Sequence, residues 1–362
     1  MENVVVTGGD PRAAADRVGS TPTAPTAGAP ASAAVTGADA AAGLIVASAG
    51  GDDLVAPESR RRRGLFGADR ATPYLLIAPA VVALLALLGY PLYRVVVLSF
   101  QAMGHRQLIR GEDPAWVGFA NYTRIFQDSV FWSVVVRTVA FTAVAVVLSV
   151  LLGLAVALLM RRVARPVRTA MVVAMMLAWA MPGLVSSQVF LWLVDANFGV
   201  VNWMIDQIPG VDFHNHSWFA DPLQGWIVIT AVVVWGALPF LAITLFAGMS
   251  QVPKELSEAA TVDGANPWQV FCAVTLPILR PLLGIVTTLS IIWDFQVFTQ
   301  IWVLRNGRPE DEFQTLSIHS FITAFGQSKY SLGSAVAVVT VLLMLGVMIF
   351  YVRQMFKIGE QD

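Results

Sequence analysis

The chain has 362 residues, 56% of them hydrophobic and 13% charged, with a formal net charge of -1 and a mean hydropathy of +0.67. Soluble proteins are usually about one-quarter charged, so the composition excludes a soluble globular domain, a disordered protein and an ordinary basic nucleic-acid binder. It points to a polytopic membrane protein.

Residues 1–66 are rich in Ala, Gly, Thr, Pro and Asp and hold no sustained apolar run. They are expected to form a flexible cytoplasmic tail, closed by the basic cluster Arg60 to Arg63. The first residues show no basic-then-apolar pattern, so no cleaved export signal is expected. Six apolar stretches follow, at about 72–100, 132–160, 168–194, 224–249, 277–304 and 331–356. Each can hold the roughly 20 apolar residues that cross a bilayer. Loose backbone polar groups cannot be satisfied in lipid, so the stretches are predicted to be helices. The Leu, Ala and Val content favours helices over the short alternating strands of a barrel.

Lysine and arginine set the orientation. Fifteen lie on one side: in the tail, after the second span (Arg161, Arg162, Arg165, Arg168), after the fourth (Lys254, Arg280) and at the C-terminus (Arg353, Lys357). Six lie on the other: Arg106, Arg110, Arg124, Arg305, Arg308 and Lys329. The richer side is read as cytoplasmic, with both termini inside. The stretch from Asp195 to Asp221 has no Lys or Arg, as expected of an outer loop.

Between the fourth and fifth spans the chain reads Pro253-Lys-Glu-Leu-Ser-Glu258-Ala259-Ala260-Thr-Val-Asp263-Gly264 and continues to Leu276-Pro277. Pro253 suits a first helical turn and Gly264 the residue past a helix end. About three turns of helix outside the bilayer are predicted, presenting Glu255, Glu258 and Asp263. Trp268, Val270 and Phe271 open a second segment that runs into Pro277.

Glu258-Ala259-Ala260, then Gly264, then Val274-Thr275-Leu276-Pro277 resembles the EAA signature of permease subunits of ABC importers. That pattern ends in Ile-x-Leu-Pro, so Val274 is a mild departure. Asp263-Gly264-Ala265 and Trp268-Gln269 are similar to the carbohydrate, maltose-type importers. The resemblance runs from Tyr74 to the C-terminus. It includes Asn121-Tyr122, Phe198-Gly199 with Asn202, and Trp235 with Pro239-Phe240.

The resemblance implies an all-α membrane protein with the type I ABC importer permease fold. A 67–362 permease domain would carry a cytoplasmic coupling loop over 250–281. Glu255, Glu258, Ala259, Ala260, Asp263 and Gly264 would dock on a cytoplasmic ATPase. Small Ala259 and Ala260 permit close approach, and Glu258 offers a charge-assisted contact. The chain lacks the Gly-x-x-x-x-Gly-Lys-Ser/Thr phosphate loop. It is therefore read as a transport subunit and not an enzyme, with no cofactor of its own and ATP-Mg on partner subunits. The implied partners are a second permease, two ATP-binding subunits and an extracytoplasmic sugar-binding protein, in a bacterial inner or plasma membrane.

Matched motif to motif, the sugar site would comprise Trp179, Gly183, Val233, Ala237, Phe240, Ser290, Trp293, Asp294 and Val297. Family positions that are polar elsewhere are apolar here at Val233 and Val297. Aromatic faces cover the C–H faces of sugars, and carboxylates or amides bind pairs of hydroxyls. Asp294 stands out from the residues alone. A carboxylate at mid-membrane costs on the order of 3 kcal/mol, so it should face a cavity or a partner. An ion-coupled secondary transporter with Asp294 as the coupling carboxylate is the alternative. That class does not need the Glu258 to Pro277 loop, and the paired repeats it usually shows are not found. The single Cys272 excludes an internal disulfide or a cysteine-based metal cluster. His214 and His216 lack further obvious ligands and are read as surface histidines, with no metal site.

Overall fold

The computed structural model describes residues 72–359. The tail expected over 1–66, with its basic cluster, lies outside the described residues. The first span is α1 (Thr72–Leu84) joined to α2 (Tyr90–Ser99) through a π turn at Leu85–Gly89. The turn comes just before Pro91, which cannot donate to a helical carbonyl, and the Tyr90 N–H reaches back to Leu85 O instead. In this span's most apolar stretch no residue is buried against the rest of the chain.

A small unit follows where the sequence suggests only a loop. It comprises β1 (Gln101–Ala102), α3 (His105–Arg110), β2 (Ala115–Trp116) and α4 (Ala120–Gln127), with β1 and β2 antiparallel. Asn121 Nδ2 donates to Ser99 O and Gln101 O at 2.8 Å each, and Tyr122 Oη lies 2.7 Å from Ser99 Oγ. The Asn121-Tyr122 pair thus ties α4 to the end of α2.

The second span is α5 (Ser129–Arg162), capped by Asp128, which accepts from Val130 N. The third expected span, 168–194, is not one rod. It breaks into α6 (Arg165–Trp179) and α7 (Gly183–Leu193), bent by 100°. Pro182 has no N–H and disfavours helix at the preceding residue, so the helix stops at Ala180 and restarts after it.

Beyond α7, α8 (Val200–Asp206) is held by Asn202, which donates to His216 O and accepts from the Trp218 indole N–H. A methyl at Gly199 would collide with the Asp195 backbone. Close packing thus accounts for Gly199 and Asn202, while Phe198 is 70% exposed.

The fourth span is α9 (Pro222–Met249), followed by α10 (Lys254–Val262) and α11 (Pro267–Val270). A π turn at Phe271–Thr275 then leads into α12 (Leu276–Phe295), so Pro267–Phe295 runs as a single helix. Pro277 does not separate two segments as expected. The Leu276 N–H bonds to Phe271 O, and the π turn absorbs the proline. The fifth span also ends earlier than expected, at Phe295, and α13 (Thr299–Leu304) follows a three-residue break. A short apolar segment not anticipated from sequence, α14 (Leu316–Phe321), continues through a π turn at Ile322–Gly326. The last span is α15 (Tyr330–Gly359). Among the described residues five helices are thus long and apolar enough to span, or six with the bent α6–α7 pair counted as one span.

The most extensive helix contact is between α5 and α9. At its closest point a methyl on Gly153 would lie 2.8 Å from Leu241 Cβ. Gly153→Val is therefore expected to cost about 1–3 kcal/mol by overpacking, read as a lower unfolding temperature in detergent. An unchanged temperature would contradict this packing.

Candidate functional site

Two helix breaks border one cavity of about 400 Å³. The first is the bend between α6 and α7, and the second is the Gln296–Phe298 interruption between α12 and α13. They are adjacent: a methyl on Gly183 would lie 3.7 Å from Gln300 Nε2. Broken helices are tolerated at membrane depth where they line a cavity, because freed backbone groups then find water, a ligand or protein.

The cavity wall comes from α6, α7, α9, α12 and the second break. Of the residues named from sequence, Trp179, Gly183, Val233, Ala237, Trp293, Asp294 and Val297 line it. Ser290 and Phe240 do not. Phe240 packs behind the wall, its ring centroid 6.4 Å from Trp179 and 5.3 Å from Trp293. It therefore sets the pitch of two cavity-lining indoles.

Ser290 lies one helical turn before Asp294 on α12, and both are buried. Asp294 is 4% exposed. Neither Asp294 Oδ2 nor Ser290 Oγ has a hydrogen-bond partner among the described residues. A buried polar atom without a partner costs about 1–3 kcal/mol.

The structure adds Trp235, Gln296, Phe298, Thr299 and Gln300 to the wall. Trp235 and the polar residues were visible in the sequence as unusual content of apolar spans. Their shared location was not, because it depends on where the two helices break. Three indoles, one carboxylate and two primary amides thus meet in one space.

The second feature is the α10 knob. Pro253 precedes the helix as its cap and not as its first residue, and Gly264 closes it with φ at +88°. Ala265 N–H bonds back to Ala260 O and Gly264 N–H to Thr261 O, satisfying terminal carbonyls. Asn266 then caps α11: its Oδ1 accepts from Trp268 N at 3.0 Å and Gln269 N at 2.9 Å. Gln269 Oε1 in turn accepts from Asn266 N at 2.8 Å. Glu255, Glu258, Ala259, Asp263 and Gly264 are exposed, and Ala260 is partly so. Val262 is 87% exposed and Trp268 68%. Large apolar side chains thus stand open beside carboxylates on this knob.

Residues 149–358 match the family of binding-protein-dependent transport system inner membrane components. The chain belongs to this family. It is a membrane permease of an ABC importer, which sets aside the ion-coupled alternative. The permease is 39% identical over 302 residues to the diacetylchitobiose uptake system permease protein DasB of Streptomyces coelicolor, covering 83% of this chain and 92% of that one. It is 32% identical over 282 residues to the trehalose/maltose transport system permease protein MalF of Thermococcus litoralis, covering 77% and 92%. Among solved structures, a bacterial ABC transporter involved in import of the acidic polysaccharide alginate contains a chain of the same fold. Its TM-score is 0.68 at 19% identity, over 79% of this permease and 96% of that chain.

Proposed function

We propose that this permease forms half of the translocation pathway of an ATP-driven sugar importer. The observation that carries the reading is the cavity at the two helix breaks, with Trp179, Trp235 and Trp293 beside Asp294, Gln296 and Gln300. Stacking indoles fit the C–H faces of a pyranose, and the carboxylate and amides fit its hydroxyl pairs. Asp294, buried in the cavity wall, places a carboxylate beside this space. The names of the relatives, for diacetylchitobiose uptake and trehalose/maltose transport, support a saccharide. Trp179, Gly183, Val233, Ala237, Trp293, Asp294 and Val297 contact the sugar in this reading, while Phe240 and Ser290 support the wall.

The domain from 67 to 362 spans the membrane of a bacterial cell with both termini cytoplasmic. Its coupling loop, 250–281, docks through α10 on one of two ATP-binding subunits, which hold ATP-Mg. A second permease covers the most apolar stretch of the α1–α2 span, where no described residue is buried. An extracytoplasmic sugar-binding protein delivers the substrate.

The test is affinity purification from native membranes. A co-purifying ATPase, and sugar uptake by the reconstituted complex that requires internal ATP, are expected. Purification of a permease with no ATPase, under conditions that preserve uptake, would overturn the assignment.

A further inference from the structure

Thr315 stands where a helix cap belongs and does not act as one. It immediately precedes α14 in extended backbone, at φ -93° and ψ 171°. A threonine hydroxyl there usually accepts from the N–H groups of its own first turn, but this one makes no such bond. It donates instead to Val297 O, at 3.3 Å and 18 residues back along the chain. The cap of α14 comes from another helix: the Leu316 N–H donates to Thr138 Oγ1 of α5 at 2.9 Å. Thr138 in turn donates to Val134 O of its own helix at 2.7 Å. Both threonines are fully buried.

Val297 is the middle residue of the break between α12 and α13, and it lines the substrate cavity. A break frees carbonyls that a continuous helix would bond. The Gln296 and Val297 N–H groups turn back to Asp294 O. Among the described residues the Thr315 hydroxyl is the single donor to Val297 O. A buried carbonyl left without a donor is costly, so this hydroxyl favours the observed course of the break.

The hydroxyl is itself held in place. Arg137 Nη1 of α5 donates to Asp311 O at 2.6 Å and to Gln314 O at 3.1 Å, and the Trp226 indole N–H of α9 donates to Glu312 O at 3.0 Å. Segment 311–316 is thus tied to two spanning helices, and through Thr315 it ties down the break. The break and the turn after it carry Gln296, Phe298, Thr299 and Gln300 into the cavity wall.

We propose that Thr315, which does not line the cavity, is a positioning residue for the sugar. Through Val297 O it sets the angle at which Gln296 and Gln300 present their amides. The proposal rests on the sugar reading of the cavity and extends it to a residue outside the wall.

The test uses the assembled transporter in nanodiscs and two measurements. The first is hydrogen exchange over 296–304, which needs no sugar. Thr315→Val keeps the branched shape and removes the donor; it should speed exchange there about tenfold. The second is affinity for trehalose and diacetylchitobiose in the outward-facing state. It should fall about tenfold in Thr315→Val and recover in Thr315→Ser. In a Gln300→Ala background the same substitution should cost far less, because residues acting through one segment are not additive. Thr340→Val removes a buried hydroxyl that bonds only to Val336 O of its own helix, and should change neither measurement. Unchanged exchange over 296–304 in Thr315→Val would overturn the tether. Affinity lost in Gln300→Ala but kept in Thr315→Val would overturn the positioning role and leave the sugar reading intact. Affinity kept in both, with faster exchange in Thr315→Val, would overturn the sugar reading while the tether stands. An equal loss in Thr340→Val would reduce Thr315 to general packing and overturn its role.

Discussion

Gly264→Trp is expected to reduce ATP-driven uptake to background while leaving the permease inserted in the membrane. Gly264 turns the chain between α10 and α11 at φ +88°. A residue with a Cβ is strained there by about 1–2 kcal/mol, although no neighbouring atom lies within 4 Å of the added carbon. The cost therefore comes from the backbone, and its relief moves α10 relative to Asn266 and α11. A displaced α10 no longer presents Glu255, Glu258 and the exposed Val262 as one surface. The indole itself projects where the ATPase is proposed to sit. The spanning helices keep their packing, since the knob lies outside them. Gly264→Asn, which tolerates the left-handed region, should retain most uptake. Uptake into proteoliposomes loaded with ATP, compared with permease content, separates the variants. Equal uptake by Gly264→Trp and the unmodified permease would remove the coupling role from α10.

Asp294→Asn is expected to weaken binding of the transported sugar to the assembled transporter about 10- to 100-fold. The substitution keeps shape and one acceptor oxygen but removes the charge. A hydrogen bond to a charged group contributes roughly 1.5–3 kcal/mol, which converts to that range. ATP hydrolysis stimulated by the binding protein should change less, because α10 is more remote in the chain and unaltered. Collapsing the ion gradient should leave uptake by both forms unchanged, provided ATP is maintained. Equilibrium binding to the transporter trapped in its outward-facing state reads the first effect. Affinity equal to that of the unmodified permease would rule out a sugar contact at Asp294.

The two cases differ in how they were legible. The α10 knob was readable because every part of it is local. A proline before the helix and a glycine after it act within a dozen residues; the Asn266 cap with its Gln269 partner is added by the structure. Apolar length alone also placed four of the spans within a few residues, whereas the fifth lies about ten residues earlier than expected. The Asn121-Tyr122 and Phe198-Gly199…Asn202 pairs were noticed only as resemblance. The structure gives local tethering roles to Asn121 and Tyr122 at Ser99 and to Asn202 at His216 and Trp218.

The cavity was partly legible. Asp294 and the tryptophans were conspicuous because polar and bulky groups are costly or unusual in apolar helices. Phe240 and Trp235 exchanged places, one supporting the wall and the other lining it. Neighbouring side chains on a helix diverge by about 100°, and a sequence does not say which of them faces inward when both flanks are apolar. The sequence by itself determined the membrane class, the spans and the chemistry available at mid-membrane. Only the tertiary structure decided that the third and fifth spans break and that the breaks meet. A proline or a glutamine marks where a helix can stop, but the direction of the next segment depends on what it packs against. For Gly183 that neighbour is Gln300, more than a hundred residues away along the chain.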